Sequence, residues 1–192
     1  MPDLYALVAE LTCGEEARAE KAAEEIASLQ ADAIPVLQSL LNSQDEDTRW
    51  WATRTLGAIK NPNVTPLLLR ALRDQEESVR YCAAVALREQ PDATAIPALI
   101  TQLGSSDPIF TRLAADALAA IGTPATPALI AVFENGTNTE VISAVRALSQ
   151  IGDYRAIPAL FKALDHDSIV TQHLADKGLD HLGVGMNFFD PE

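Results

Sequence analysis

Aromatic side chains are scarce, 5% of 192 residues, too few to anchor a conventional globular core of this length. Cysteine is scarcer: Cys13 and Cys82 stand far apart and match no paired-thiol or zinc spacing, which points to a reducing compartment. Basic residues are outnumbered, 14 Lys and Arg against 27 Asp and Glu, for a formal charge of −13. Nucleic acids and anionic membranes need a basic footprint to displace counterions, so neither is an expected partner. No apolar run approaches the ~18 residues of a transmembrane helix, and membrane insertion is not expected. Met1, Pro2 and Asp3 open the chain without a basic, then apolar, leader, so a cytoplasmic location is expected. A glycine-rich phosphate loop and a Gly-x-Ser-x-Gly turn are also missing.

What the chain does have is alanine and leucine in a strict rhythm. Pro35, Pro66, Pro97, Pro127 and Pro158 are spaced by 31, 31, 30 and 31 residues. Each is followed 21 residues later by Leu56, Leu87, Leu118, Leu148 or Leu179. Four residues before those leucines stand Ala52, Ala83, Ala114, Ala144 and Ala175. A period of this size reads as two helices per unit. The first is expected to begin at the proline, whose missing N–H is harmless in a first turn. Polar stretches such as Asn42 to Asp47 and Asp74 to Ser78 separate the helices. The second helix is expected to end near Gly57, Gly122, Gly152 and Gly183, in left-handed caps.

This pattern predicts an all-α chain, a right-handed α-α superhelix of about six short helix pairs. The expected units are a divergent N-terminal capping pair over 1–33, then repeats 34–64, 65–95, 96–125, 126–156 and 157–183 in one continuous domain. The cap lacks the proline and gathers Glu15, Glu16, Glu20, Glu24 and Glu25, as a terminal repeat facing water requires. The tail over 184–192 carries Met186, Phe188 and Phe189 after two glycines and cannot continue the helices. It either folds back over the last unit or docks on another chain.

Pro66-Leu67-Leu68, Asp74, Val79-Arg80, Ala83-Ala84 and Ala86-Leu87, with Ile121-Gly122 and Ile151-Gly152, resemble the short HEAT-like repeats of the phycobilisome-lyase type. The resemblance covers residues 34–183. It implies the solenoid fold and a function among bilin lyase subunits, phycobilisome-degradation factors and scaffolds. The repeat arginine of that pattern, present as Arg49 and Arg80, is replaced by Thr111, Val141 and Gln172.

At 100° per residue the repeated alanines and leucines define the buried face of each second helix. Positions two before and two after each alanine then form exposed rows, and in HEAT-like solenoids the second helices line the concave groove. The expected partner-binding ladder is Trp50, Arg54, Tyr81, Arg88, Arg112, Arg146, His173 and Lys177, an aromatic and arginine composition typical of binding hot spots. The alternative is that Trp50 and Tyr81 pack between repeats while the arginines pair with acidic residues of neighbouring turns.

Catalytic chemistry has little support. His166, His173 and His181 lie in the last unit among Asp165, Asp167, Asp176 and Asp180, but His173 and His181 are two turns apart and no His-Glu dipeptide occurs. They are expected to be solvated surface residues, with no metal and no catalytic site. Cys82 is expected to be structural and Cys13 exposed. Two functional classes follow. One is a non-catalytic protein-binding scaffold or adaptor for a phycobiliprotein, a phycobilisome component or a second HEAT-repeat subunit, with no cofactor. The other is a bilin lyase or chromophore-chaperone subunit that transiently holds phycocyanobilin, Arg54, Arg112 or Arg146 pairing with its propionates and Trp50 and Tyr81 stacking on its pyrroles.

Overall fold

A computed structural model describes residues 3–184; Met186, Phe188 and Phe189 of the expected tail lie outside the described residues. Twelve α-helices and no strand occur among them. The helices are α1 (Leu4–Leu11), α2 (Glu16–Ser28), α3 (Ile34–Leu40), α4 (Glu46–Ala58), α5 (Thr65–Ala71), α6 (Glu77–Glu89), α7 (Ile96–Gln102), α8 (Pro108–Ile121), α9 (Thr126–Asn135), α10 (Asn138–Ile151), α11 (Ile157–Leu164) and α12 (Ile169–His181). They form six pairs. Two compact units divide them, Met1–Ala95 with α1 to α6 and Ile96–Glu192 with α7 to α12. Among the described residues no single helix is long and apolar enough to cross a membrane.

Within the first unit α2, α4 and α6 pack side by side, each against its own partner α1, α3 or α5. The second unit repeats this with α8, α10 and α12 against α7, α9 and α11. The repeat alanines and leucines form the contact: Ala52, Leu56, Ala83 and Leu87 are fully buried in one unit, and Ala114, Leu118, Ala144 and Leu148 in the other. Leu37, Leu68, Leu99, Leu129 and Leu160 complete these cores from the first helices. Small alanines allow the second helices to approach closely, so leucine supplies the apolar volume that aromatics would supply elsewhere.

The first helices start one residue ahead of the proline rather than at it. A short 3-10 turn feeds each of them, for example Pro62–Val64, Thr123–Ala125 and Tyr154–Ala156. The residue before a proline ordinarily avoids helical angles. Here its N–H is spent in the 3-10 bond, Thr65 donating to Pro62 O, Thr126 to Thr123 O and Ile157 to Tyr154 O, which brings it into helical register.

Gly122, Gly152 and Gly183 take positive φ of +78°, +67° and +72°. Gly57 does not cap its helix. It lies inside α4, where an added Cβ would come within 2.7 Å of Ala86 Cβ on α6, so close helix approach is what excludes a side chain.

The turn between paired helices is tied down from the second helix. Arg49 is buried, donates from Nη1 to the carbonyls of Ser43 and Gln44, and pairs with Asp74 of the next repeat, Nε to Oδ2 at 2.8 Å and Nη2 to Oδ1 at 2.9 Å. Burial alone would push the Asp74 carboxyl up, but the Arg49 guanidinium and the Glu76 N–H hold it below its ordinary value. Arg80 donates to the carbonyls of Asp74 and Gln75. Where the arginine is missing other donors serve: Thr111 Oγ1 donates to Ser105 O and Gln172 Nε2 to His166 O.

Candidate functional site

Helix α4 starts at a strong cap, Asp45, whose carboxylate accepts the Thr48 N–H at 2.7 Å and the Thr48 hydroxyl at 2.6 Å. These bonds hold the Asp45 carboxyl below its ordinary value. One turn later Trp50 and Trp51 leave α4 in succession, both half-buried. Their rings meet edge to face, centroids 4.9 Å apart at 85°. The Arg54 guanidinium lies 5.7 Å from the Trp50 ring centre and 5.9 Å from that of Trp51, within cation–π range. It is also ion-paired with Glu20 of α2, which raises the arginine further above its ordinary value.

Two surface depressions flank this cluster, both within the first unit. A cleft of about 760 Å³ is lined by the two tryptophans, by Asp45 and Asp47, and by Glu16 beside the α1–α2 turn. A smaller groove of about 270 Å³ is lined by Glu20, Arg54, Cys82 and Val85. Burial pushes the Cys82 thiol up to about 12, which leaves it protonated and unreactive at neutral pH.

The remaining ladder residues are distributed as follows. Tyr81 is half-buried on α6. Arg88 is exposed and pairs along its own helix with Glu89 at 2.8 Å. In the second unit Arg112 is exposed, with Asp116 one turn on at 3.9 Å, and Arg146 is half-buried. His173 and Lys177 are exposed on α12, His173 at the rim of a groove of about 530 Å³ with Ile169, Gln172 and Asp176. Of the eight, the structure brings Trp50 and Arg54 into direct contact and adds Trp51 and Glu20, which the sequence did not single out. A tryptophan one position from the buried alanine is wide enough to reach the surface from the flank of the helix, and a helical wheel that treats all side chains as points misses it.

The histidines divide. His173 is exposed as expected. His166 is half-buried and its Nδ1 accepts the Ser168 N–H at 3.1 Å, so it caps the turn before α12 instead of being solvated. His181, although exposed, has Nδ1 3.2 Å from Ser149 O and closes over Gly152. Among the described residues no three His, Cys, Asp or Glu side chains gather as metal ligands would. Cys13, expected to be exposed, is half-buried, and its sulfur accepts the Glu15 N–H at 3.4 Å in the α1–α2 turn.

Comparison with known proteins accords with this architecture. The family model for HEAT repeats matches residues 4–88 and 65–147, and that for the PBS lyase HEAT-like repeat matches residues 142–166. A relative in Pseudanabaena tenuis (strain PCC 7409), named uncharacterized phycocyanin operon protein Z, is 30% identical over 155 residues, 76% of each chain. The complex of CpcE and CpcF of phycocyanin lyase from Nostoc sp. PCC7120 aligns with a TM-score of 0.56 at 24% identity, over 95% of this chain and 78% of that one. An engineered protein, structural-genomics target OR329, aligns with a TM-score of 0.54 at 25% identity, over 96% and 98% of the two chains. With helix pairs, proline rhythm and family match in agreement, the chain belongs to the HEAT-repeat proteins and carries a repeat of the PBS lyase HEAT-like type in its second unit.

Proposed function

We propose that this chain is a non-catalytic protein-binding scaffold or adaptor that acts on a phycobiliprotein or in phycobilisome assembly or turnover. The observation that carries this reading is the Trp50–Trp51 pair with Arg54. In a chain that builds its cores from alanine and leucine, two tryptophans are left half-exposed beside an arginine, the residues that dominate binding hot spots. The name of the Pseudanabaena relative, 30% identical to this chain, supports a phycobiliprotein as the partner. The PBS lyase HEAT-like match supports the same setting.

Capture of purified phycocyanin by the protein tests the reading. Trp50→Ala is expected to weaken capture by about 1–2 kcal/mol, the range of hot-spot truncations, with the helical circular dichroism unchanged. Arg73→Glu, in the exposed turn before α6, serves as the control and is expected to stay within about 0.5 kcal/mol. Absence of phycocyanin capture by the wild-type protein would refute the partner assignment.

A second reading, a bilin lyase or chromophore-chaperone subunit, draws on Arg54 beside both tryptophans and Cys82 in the smaller groove. Two features rank it second. A propionate reaching Arg54 must displace Glu20, and the Cys82 thiol is held protonated. Titration with phycocyanobilin separates the classes: a red-shifted bound spectrum supports the lyase class, an unchanged one the scaffold.

A further inference from the structure

The cleft in the first unit combines aromatic rings and carboxylates at one surface. We propose that it seats an arginine side chain of a protein partner, the guanidinium against Trp50 and Trp51 and among the carboxylates of Glu16, Asp45 and Asp47. This deepens the scaffold reading and rests on it.

Three independent observations lead there. The first is chemical precedent inside the molecule: Arg54 already places a guanidinium within 6 Å of both rings while pairing with a carboxylate. Arg54 lines the smaller groove, whereas the cleft presents the same two tryptophans to solvent with a different set of carboxylates. The second is unsatisfied charge. Asp45 is engaged by Thr48, whereas Glu16 acts on Arg54 only through its charge, and neither Glu16 nor Asp47 forms a close ion pair among the described residues. Helix α4 needs one acidic cap, and Asp45 supplies it. The third is the field around the cleft. Glu16, Asp45 and Asp47 line the cleft, no lysine or arginine does so among the described residues, and the chain carries −13 overall. An incoming cation is drawn in by that field.

Size and shape select arginine. A cleft of about 760 Å³ admits a long side chain with part of its backbone. A planar guanidinium can stack on indole while its edge N–H groups reach carboxylates, a double engagement that a compact ammonium cannot reproduce.

The test is titration of the full chain with the peptide acetyl-Gly-Ser-Arg-Gly-Arg-Ser-Gly-amide and with its citrulline counterpart, which keeps the shape and removes the charge. Tryptophan fluorescence reports occupancy. The arginine peptide is expected to change the fluorescence and the citrulline peptide to bind at least about tenfold more weakly. Combined Glu16→Gln and Asp47→Asn is expected to weaken the arginine peptide by about tenfold, and raising the salt from about 50 to 300 mM to weaken it further. Trp51→Leu is expected to have a similar effect. If that variant unfolds by circular dichroism, the carboxylate double variant carries the test alone. Equal binding of the two peptides, or binding by the double variant within about twofold of wild type, overturns the proposal. If no arginine peptide binds while Trp50→Ala still weakens phycocyanin capture, the cleft assignment falls and the scaffold reading stands. If the peptide binds as expected but phycocyanin is not captured, the cleft assignment stands and the phycobiliprotein partner falls.

Discussion

Arg49 is the residue whose burial most needs explaining, because a guanidinium removed from water is costly unless its donors are all engaged. Its side chain is 7% exposed, that of Asp74 12%, and between them they close one repeat onto the next. Arg49→Met leaves the Asp74 carboxylate desolvated without its partner and is expected to cost about 3–5 kcal/mol in urea unfolding. Acid acts through the same pair. The Asp74 carboxyl sits below its ordinary value when folded, so its contribution is fully present above about pH 4 and is lost as pH falls through the lower, folded value. Asp74→Asn is expected to flatten the wild-type loss of stability as pH falls below about 4, measured as urea midpoints over a series of acidic pH values. Both residues are visible in the repeat pattern, yet 25 positions and a repeat boundary separate them, and a sequence period does not say that one repeat's arginine meets the next repeat's aspartate. The same blindness affected Thr111 and Gln172. In sequence they are departures from the pattern, but in the structure their side chains donate to the turn carbonyls that the arginines otherwise serve.

Helices were the most legible level, because proline, alanine and leucine at a fixed period specify two amphipathic helices per repeat without help from long-range contacts. Their ends were less so. Glycine marks both a left-handed cap and a close approach of two backbones, and Gly57 stands one residue from the end of α4, where either meaning fits the sequence. The structure selects the second: α4 and α6 touch there through Ala86, and Gly178 of α12 meets Ser149 of α10 in the corresponding way, with an added Cβ 2.9 Å from Ser149 Cα. Gly57→Val must therefore wedge α4 from α6. Overpacking of this kind is expected to cost about 1–3 kcal/mol, although valine is the better helix former. Thermal unfolding would check it, and a variant as stable as wild type would mean that the two helices are not in contact at this point. Because Gly57 also lines the groove beside Arg54, the same variant is expected to disturb the Trp50–Trp51 cluster less than Trp51→Leu does.

Within each compact unit, contacts join each helix pair to its sequence neighbours, so stability is expected to behave as a sum of local terms rather than one indivisible transition. Leu118 tests this, since it is fully buried in the last turn of α8, a helix that packs against both α7 and α10. Removing three of its carbons as Leu118→Ala leaves a cavity that short, alanine-lined helices can only partly collapse, at a cost of about 2–5 kcal/mol. In a conventional globular core that loss would lower the protection of every slowly exchanging amide equally. Here it is expected to fall first on α7, α8 and α10, while amides of α1 and α2, which belong to the other compact unit, keep their wild-type exchange rates. Hydrogen exchange followed by mass spectrometry resolves the two cases. A uniform drop from α2 to α12 would show that the repeats unfold as one body, and the scaffold reading would then have to treat the chain as a rigid platform rather than as helix pairs able to yield locally when a partner binds.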